Sequence, residues 1–268
     1  IGNPPYGASF AASDKEYYKN IYKTAQTVKG VQKGSLDSYT LFVELGHRLC
    51  KVYGSLHYIV PISITSSDSV VGLQNVLENS CSLIKVSSYA VRPEPVFENA
   101  VVNTSILFFK KDNKANTQIL ATKMYRKKGK IDLRYLLNNL EFIDIKDVKL
   151  QGRYPKISYP IEKSILNKIF KMEAKIRDCK CQKGEPIYYR TSGGRYFKVI
   201  TNYPTFSTKE KAILFEKSIV NAIGAILSSN LFFWYYQIYS NNLDLKTFEI
   251  ESFGVPYSKL DLETITKI

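Results

Sequence analysis

The chain contains little cysteine, and four cysteines are too few to hold a protein of this length together through disulfides. Cys50, Cys81, Cys179 and Cys181 are spread over 268 residues, whereas a disulfide scaffold places several pairs in a short chain. Cys179 and Cys181 are separated by one residue and no second pair follows, which does not match a zinc knuckle. We therefore expect reduced thiols, a cytosolic protein and no metal site.

Long apolar runs are also absent, and we recognise no signal-peptide pattern. The most apolar stretch covers residues 219–239 and contains five polar positions: Asn221, Ser228, Ser229, Asn230 and Gln237. So many polar side chains do not suit a helix that spans a bilayer. The stretch is predicted to be a buried helix, and no membrane partner is expected.

Aromatic and apolar residues are nevertheless plentiful. The hydrophobic fraction is 44%, with 20 Tyr and 14 Phe, so the chain can bury a core and is not disordered. The chain begins with Ile instead of Met, and with a motif that normally follows a strand. We therefore expect it to be a fragment of a longer protein.

Positive charge exceeds negative charge, and the excess is uneven. The formal net charge is +14; residues 1–100 contain 9 Lys/Arg and 8 Asp/Glu, whereas residues 101–268 contain 29 and 16. A near-neutral part followed by a basic part suits a catalytic piece joined to a piece that binds a polyanion. A Lys-rich composition that merely decorates solvated surfaces would produce the same numbers.

An Asn-Pro-Pro-Tyr motif stands at residues 3–6. The amide oxygen of Asn3 has two lone pairs and accepts hydrogen bonds. Pro4 and Pro5 have fixed φ angles and no N–H, so each carbonyl is a preset acceptor without a competing donor. An amino group between the Asn3 oxygen and the Pro4 carbonyl would give both hydrogens to acceptors, which frees its lone pair for attack. Tyr6 offers a flat face for stacking. Taken alone, the motif suits an ordinary Asn-Pro turn equally well.

Residues 1–7, Ile-Gly-Asn-Pro-Pro-Tyr-Gly, resemble motif IV of the amino-group methyltransferases that use S-adenosylmethionine. More specifically, they are similar to the gamma-class, TaqI-like adenine-N6 DNA methyltransferases of restriction-modification and phage-defence systems. The resemblance implies a catalytic loop formed by Asn3, Pro4, Pro5 and Tyr6. It also implies duplex DNA as the partner and a flipped-out adenine as the target, because N6 cannot be reached inside the base stack.

The next segments are typical of an α/β fold. Gly54 is a helix stop signal, and residues 57–61 are predicted to form a short buried strand. Helix, glycine and strand in succession suit alternating α/β architecture. Residues 41–44, Leu-Phe-Val-Glu, and 58–61, Tyr-Ile-Val-Pro, also resemble motifs V and VI of the family. The helix is predicted within residues 38–52 with one apolar stripe formed by Leu41, Phe42, Leu45 and Leu49.

A helix over residues 72–83 and strands over 82–89 and 104–110 are predicted next. Between the two strands, Phe97 lies in a Val-Phe stretch that resembles motif VIII of TaqI-like enzymes, whose aromatic side chain stacks on the flipped base. The resemblance therefore assigns base stacking to Phe97 together with Tyr6. Without the resemblance, the pattern favours a core position for Phe97 at a hairpin end.

The polar segment 112–116 is predicted to be a domain boundary. Residues 1–112 would be the second half of a doubly wound methyltransferase domain, and residues 113–268 a mixed α+β target-recognition domain. A basic run with an adjacent tyrosine follows at residues 124–130. Four of its cations are predicted to contact DNA: Arg126, Lys127, Lys128 and Lys130.

Residues 186–201 predict a β-hairpin with a Ser-Gly-Gly turn. Arg190, Arg195 and Lys198 lie beside this turn. An arginine on a hairpin can read guanine in the major groove, so the three are predicted DNA contacts, although an ordinary hairpin with solvated basic tips fits as well. Residues 216–237 are predicted to form one structural helix that resembles a helix of the family's recognition domains.

The family's Phe-x-Gly-x-Gly loop, which holds most of the S-adenosylmethionine, is missing from the sequence. The resemblance thus implies S-adenosylmethionine as the cofactor of a longer parent enzyme, bound mainly upstream of this chain. The cofactor-binding residues are therefore unknown. The resemblance also allows a nuclease domain or subunit in the parent system, although no nuclease motif is recognisable here.

The sequence as a whole predicts the C-terminal part of a site-specific adenine-N6 DNA methyltransferase, inactive as a fragment. Two other interpretations stay open. A protein glutamine methyltransferase also uses Asn-Pro-Pro-Tyr, on an amide nitrogen, but it would not need a large basic domain. A DNA-specificity module without enzymatic activity would need the basic part and not the cofactor.

Overall fold

The structure is a computed structural model of the chain, which divides into two compact units, Ile1–Lys163 and Ser164–Ile268. We describe each unit by itself. The residues that the structure describes are 1–31, 33–95, 102–113, 116–127, 129, 133–192 and 200–260.

The first unit is built on a mixed five-stranded sheet with the order β1-β3-β2-β4-β5. β1 and β2 are each antiparallel to β3, so they run parallel to each other. β4 continues the sheet parallel to β2, and β5 is antiparallel to β4. The strands are β1 (Ser55–Pro61), β2 (Cys81–Tyr89), β3 (Thr104–Lys111), β4 (Gln118–Tyr125) and β5 (Ile143–Asp144).

Alternating apolar residues explain the central strands of this sheet. Ile84 and Val86 of β2 and Leu107 and Phe109 of β3 are buried at every second position, the period at which side chains reach the same sheet face. The three strands predicted from sequence up to residue 110 are confirmed, with small shifts at their ends. The helices are α1 (Ala12–Ile21), α2 (Ser38–Leu49), α3 (Val71–Glu78), α4 (Leu133–Asn138) and α5 (Pro160–Phe170), with 3-10 turns at Lys23–Ala25, Ile62–Thr65 and Asp68–Val70.

Helix α2 forms where it was predicted, but its predicted apolar stripe is not the buried face. Phe42, Leu45 and Leu49 are exposed, whereas Leu41 is buried. The helix contacts β1, and the side chains it buries include polar ones that have hydrogen-bond partners in the unit. Polar residues can therefore occupy the inner face, because a satisfied polar group can be buried at little cost. The inner face consists of Tyr39, Thr40, Val43, Glu44 and His47.

Glu44 is the most consequential of these buried polar groups. Its carboxylate accepts hydrogen bonds from the backbone N–H groups of Lys23 and Thr24 at 3.0 and 2.8 Å. The guanidinium of Arg48, one turn further along α2, donates a third bond. Glu44 thereby fastens the 3-10 turn at Lys23–Ala25 to helix α2.

We expect Glu44→Ala to lower the free energy of unfolding by about 2–4 kcal/mol, because it leaves two backbone donors without their acceptor. Chemical denaturation followed by circular dichroism measures this loss. Glu16→Ala, on the exposed surface of α1, is the matched control and should stay within about 0.5 kcal/mol of the unsubstituted chain. Equal effects of the two substitutions would contradict the anchoring role of Glu44.

The predicted boundary after residue 112 falls inside the first unit, between β3 and β4. The division lies later because β4 pairs with β2 along Leu83–Tyr89, and β5 pairs with β4. Most of the chain's basic excess therefore belongs to the first unit: residues 101–163 contain 14 Lys/Arg and 6 Asp/Glu. A cut at residue 112 would separate β4 from its partner strand.

The second unit combines a three-stranded sheet of order β8-β7-β9 with a two-stranded pair, β10 and β6. Its core is aromatic: Phe215, Phe232, Tyr235 and Tyr239 are fully or almost fully buried. The elements are β6 (Ala174–Lys175), β7 (Lys180–Arg190), β8 (Ile200–Thr201), β9 (Glu210–Phe215), α6 (Val220–Leu227), α7 (Asn230–Tyr239), α8 (Thr247–Glu251) and β10 (Gly254–Val255), with 3-10 turns at Ile176–Cys179 and Tyr257–Lys259.

Strand pairing and capping set the ends of the helices in this region. Helix α5 ends at Phe170, and the chain then enters β6, which pairs with β10. The helix predicted over residues 216–237 is two helices, and Ser229 caps the second by accepting a hydrogen bond from the Phe232 N–H. The structural role expected for its aromatic end is confirmed by the burial of that end. In the described part of the chain, we find no helix with the length and apolar character that crossing a membrane requires.

Candidate active site

The Asn-Pro-Pro-Tyr loop lies at one edge of the first unit's sheet. Gly2 forms a parallel bridge to Tyr58 of β1: its N–H donates to the His57 carbonyl at 2.9 Å, and its carbonyl accepts from the Ile59 N–H at 3.1 Å. Residues 3–6 therefore leave the sheet at the end where β1 also ends. Open α/β sheets bind their ligands at the carboxyl ends of their parallel strands. Below, this end of the strands is called the carboxyl edge of the sheet.

Gly2 is required by the packing beneath the loop. A Cβ atom added there would lie 2.9 Å from Cε1 of the Tyr58 ring, which is too close for any other residue without displacing that ring. The glycine of the Ile-Gly-Asn-Pro-Pro-Tyr-Gly segment thus allows the chain to enter the loop directly over β1.

Asn3 and Tyr6 form a hydrogen-bonded pair on the loop surface. The Tyr6 hydroxyl donates to Oδ1 of Asn3 at 2.6 Å, and the Tyr6 side chain is 37% exposed. Partial burial raises the pKa of Tyr6 above its ordinary value, so the hydroxyl stays protonated and remains a donor. Since an amide oxygen has two lone pairs, Asn3 retains capacity for one more donor.

The two proline carbonyls differ in their surroundings. Pro5 accepts a hydrogen bond from the Ser38 hydroxyl at 2.8 Å. None of the hydrogen bonds among the described residues uses the carbonyl of Pro4. Pro4 is buried, and its carbonyl, like the second lone pair of Asn3, is not occupied by a hydrogen bond among the described residues.

The start of helix α2 holds the loop from below. Ser38 Oγ accepts from the Ala8 N–H at 3.3 Å while it donates to Pro5. The Asp37 carboxylate accepts from the Gly7 N–H at 3.1 Å and makes no side-chain cap to its own helix. Gly7 has φ +65, a conformation that glycine adopts without strain. Three hydrogen bonds between residues 5–8 and the start of α2 thus fix the exit from the loop.

Sequence reasoning did not identify Asp37 and Ser38 as part of this site. Asp-Ser before an amphipathic segment is an ordinary helix start signal, and the expected function of Asp37 would be to cap α2. Its bond to Gly7 crosses 30 positions of sequence, so no local pattern contains it.

The same edge of the sheet carries other predicted site elements. Pro61 and Tyr89 both pair with Thr104, so the connection between β2 and β3 begins and ends at this edge. Asn103 accepts from the Val91 N–H at 2.9 Å and closes the base of that connection. Phe97 belongs to this connection but lies outside the described residues.

Arg126 and Lys127 directly follow β4 and lie at this edge too. Arg126 is exposed and donates to the Arg92 carbonyl at 3.4 Å. The backbone of Lys127 forms an isolated antiparallel β-bridge with that of Glu94. Gly2 and β4 are separated by four inter-strand steps, which amount to about 19 Å at about 4.8 Å per step. The Asn-Pro-Pro-Tyr loop and these two basic residues therefore lie at the same end of one sheet. Lys128 and Lys130 lie outside the described residues.

The predicted hairpin contacts belong to the second unit. Arg190 ends β7 opposite Glu210 of β9. Hydrogen bonds from Thr205 hold the pKa of Glu210 below its ordinary value, and the positive charge of Arg190 adds to this effect. Arg190 is half-buried. Arg195 and Lys198 lie outside the described residues.

The described residues do not fit S-adenosylmethionine as its main binding surface. A glycine cradle would be expected at a strand end, but Gly152 packs against the Ser67 carbonyl and Gly30 against Gln151. Gly7 directly follows the Asn-Pro-Pro-Tyr loop, and its N–H donates to Asp37. Among the residues described, no group of three or more His, Cys, Asp or Glu side chains could hold a metal ion.

Comparison with known proteins finds similarity in the part of the chain that contains this loop. Residues 1–97 match the sequence profile of the Eco57I restriction-modification methylase family. A curated relative is the type II restriction enzyme and methyltransferase RM.Eco57I of Escherichia coli, which is 30% identical over 144 residues. That match covers 52% of this chain and 14% of the relative, so the chain spans a small part of the relative's length.

Solved structures of restriction-modification enzymes are more distantly similar. A DrdV–DNA complex has a TM-score of 0.41 and 16% identity, covering 57% of this chain and 17% of that one. The ATP-dependent type ISP enzyme LlaBIII bound to DNA has a TM-score of 0.41 and 13% identity, covering 72% and 14%. Likenesses at this level do not support a functional assignment.

We expect Ser38→Ala to loosen the loop without unfolding the unit, because it removes one bond from Pro5 and one from Ala8. Loss of about 1 kcal/mol of local stability would speed hydrogen exchange of the Gly7 and Ala8 amides about five-fold. Exchange followed by mass spectrometry measures this. Ser9→Ala, at an exposed position in the same loop, is the control, and equal exchange in both variants would contradict the role of Ser38.

Proposed function

We propose that this chain is part of a site-specific DNA methyltransferase that acts on adenine N6. It would be the C-terminal part, from motif IV through the recognition domain, of a gamma-class enzyme in a restriction-modification or phage-defence system. The observation that carries the proposal is the loop of residues 3–6 at the carboxyl end of β1, in which Asn3 Oδ1 accepts from Tyr6 and the Pro4 carbonyl accepts none of the hydrogen bonds among the described residues. The family match over residues 1–97 supports it.

The chain's contribution to the reaction is to bind and orient the target amino group. Asn3 and Pro4 accept the two N6 hydrogens, so the nitrogen lone pair points away from both acceptors. Fixed acceptors lower the barrier because they need no reorganisation when charge develops on the nitrogen. Pro5 keeps the backbone rigid, and Tyr6 stacks on the flipped adenine with its ring tethered through Asn3.

Phe97 is proposed as the second stacking residue. The ends of its connection lie at the same edge as the loop, which supports the assignment. The methyl donor expected for this class is S-adenosylmethionine. Since the described residues do not fit it, we assign its binding mainly to residues other than those of this chain.

Duplex DNA is proposed as the partner, and both units would contribute contacts. In the first unit, Arg126 and Lys127, about 19 Å from the loop, would neutralise phosphates. Lys128 and Lys130 of the same basic stretch are proposed to do so too. In the second unit, Arg190, Arg195 and Lys198 would approach base edges. The first unit would therefore carry both the catalytic loop and the phosphate contacts. Target recognition would lie mainly in the second unit. The parent system could also contain a nuclease domain or subunit, as the family resemblance allows.

Two features favour DNA over a protein glutamine. The curated relative is named a restriction enzyme and methyltransferase. Residues 101–163 contain 14 Lys/Arg, of which Arg126 and Lys127 follow β4 at the end of the sheet that carries the loop. A glutamine side chain needs the same acceptor pair but no polyanion surface. Methylation of duplex DNA, with no methylation of glutamine peptides, distinguishes the two.

In the complete methyltransferase, we expect Asn3→Ala to lower the rate of methyl transfer at least about a hundred-fold, because one fixed acceptor is lost. DNA affinity should change little. Single-turnover transfer of labelled methyl and fluorescence anisotropy measure the two quantities. Asn20→Ala, an exposed asparagine of α1, is the matched control. Retention of more than about a tenth of the rate would remove Asn3 from the acceptor role.

The phosphate contacts predict a change in salt dependence. Replacing Arg126 and Lys127 by Gln should weaken binding to all duplexes alike and lower the slope of log K against log salt by about 2. The control pair is Lys51→Gln with Lys110→Gln, because these exposed lysines lie at the opposite end of β1 and β3. An unchanged slope for the first pair, or an equal change for both, would contradict the assignment.

A further inference from the structure

An exposed aromatic loop marks one end of the second unit's sheet. We define the aromatic loop as residues 202–207, between β8 and β9. Phe206 is 89% exposed and Tyr203 is 62% exposed. Large apolar side chains that extend so far into solvent are unfavourable, and the two rings stand three residues apart in one short loop.

Phe206 is also held in an unusual conformation. Its φ angle is +56, in the left-handed region that a bulky side chain rarely adopts. Such outliers persist only where the surrounding structure enforces them, and they cluster at ligand-binding sites. The ring therefore projects into solvent at a backbone cost, without packing against the unit.

Hydrogen bonds around Glu210 enforce this conformation. The Glu210 carboxylate accepts from the Thr205 N–H at 2.8 Å and from the Thr205 hydroxyl. The Phe206 N–H also donates to it, and these bonds hold the pKa of Glu210 below its ordinary value, with the Thr205 hydroxyl contributing most. The ionised carboxylate therefore holds Thr205 and Phe206 in place through three hydrogen bonds without any contact to a partner.

β8 and β9 are both antiparallel to β7, so the segment that joins them runs from Thr201, opposite Tyr188, to Glu210, opposite Arg190. Thr191, just after β7, donates twice to the Lys209 carbonyl, at 2.8 Å from its N–H and 2.9 Å from its hydroxyl. Arg190, Lys209 and Lys211 therefore lie at the same end of the sheet as Phe206. Arg190, Lys209 and Lys211 outnumber Glu210 and Asp244, whose neighbour Leu245 donates its N–H to the Thr191 carbonyl. These cations and the exposed Phe206 ring form a surface suited to a polyanion with flat groups.

We propose that Phe206 is a wedge that inserts between base pairs of duplex DNA, while Lys209 and Lys211 contact the adjacent phosphates. Apolar side chains on ordered tips unstack base steps and bend the duplex, and a bend would lower the cost of extruding the target base. The inference rests on the proposed function, since it takes duplex DNA as the partner. It adds a contact that none of the motifs in the sequence indicates.

The test is binding of the complete chain to a fluorescein-labelled random-sequence duplex across a range of salt concentrations. Phe206→Ala should weaken binding about ten-fold or more, because loss of one stacked ring has that effect, with the salt slope unchanged. Phe206→Trp should bind nearly as the unsubstituted chain. Lys209→Gln with Lys211→Gln should lower the slope by about 2.

Two further variants separate contact from folding. Tyr257→Ala removes another exposed aromatic side chain of the same unit, 47% exposed, and should leave affinity unchanged. Phe206→Gly suits a positive φ, so it should lose affinity without lowering the melting temperature. A loss of both affinity and melting temperature in Phe206→Gly would overturn the wedge.

A duplex that contains 2-aminopurine reports unstacking directly. Its fluorescence should rise on binding and should rise less with Phe206→Ala, while Asn3→Ala retains the full rise. If the unsubstituted chain binds DNA and Phe206→Ala binds equally well, the wedge is overturned and the proposed function stands. If the unsubstituted chain does not bind duplex DNA, both are overturned. A Phe206→Ala effect on self-association alone, measured by sedimentation, would assign the loop to a second copy of the chain and overturn the wedge.

Discussion

The parallel pairing of Gly2 with Tyr58 is the constraint on which the candidate active site depends. Two backbone hydrogen bonds, to His57 and from Ile59, fix the direction in which the chain leaves the sheet. Because the pairing is parallel, the following loop emerges at the edge where β1 ends. A glycine is needed since the Tyr58 ring occupies the space of a side chain. The position of every acceptor in the loop follows from this pairing.

The loop obtains its rigidity from polar contacts with the start of α2. Ser38 and Asp37 bind the Gly7 and Ala8 donors and the Pro5 carbonyl. The exposed Asn3 and the buried Pro4 keep acceptor capacity, because none of the hydrogen bonds among the described residues uses the Pro4 carbonyl. This division suits a site that binds a small amino group, because fixed acceptors do not have to reorganise around it. The buried Glu44 extends the same principle, fastening the segment after α1 to the helix that supports the loop.

Much of the first unit could be predicted from sequence, because its signals are local. The strands around Ile84, Val86 and Phe109 follow from alternating apolar residues, and the helix starting near Ser38 from its periodicity and the glycine after it. The inner face of that helix could not be predicted: Glu44 and His47 are buried because partners elsewhere in the fold satisfy them. The boundary after residue 112 was misplaced for a similar reason, since the pairing of β4 with β2 joins distant segments.

The sequence by itself determined the chemistry of the candidate loop. Asn3, the two prolines and Tyr6 specify acceptors, rigidity and a stacking face, whatever surrounds them. Only the tertiary structure decided which carbonyl stays available, because Ser38 bonds Pro5 and not Pro4. It also decided that Phe206 projects into solvent with φ +56, since Glu210 holds the preceding Thr205. Composition and local pattern state what a side chain can do; long-range hydrogen bonds and strand pairing determine where it does so.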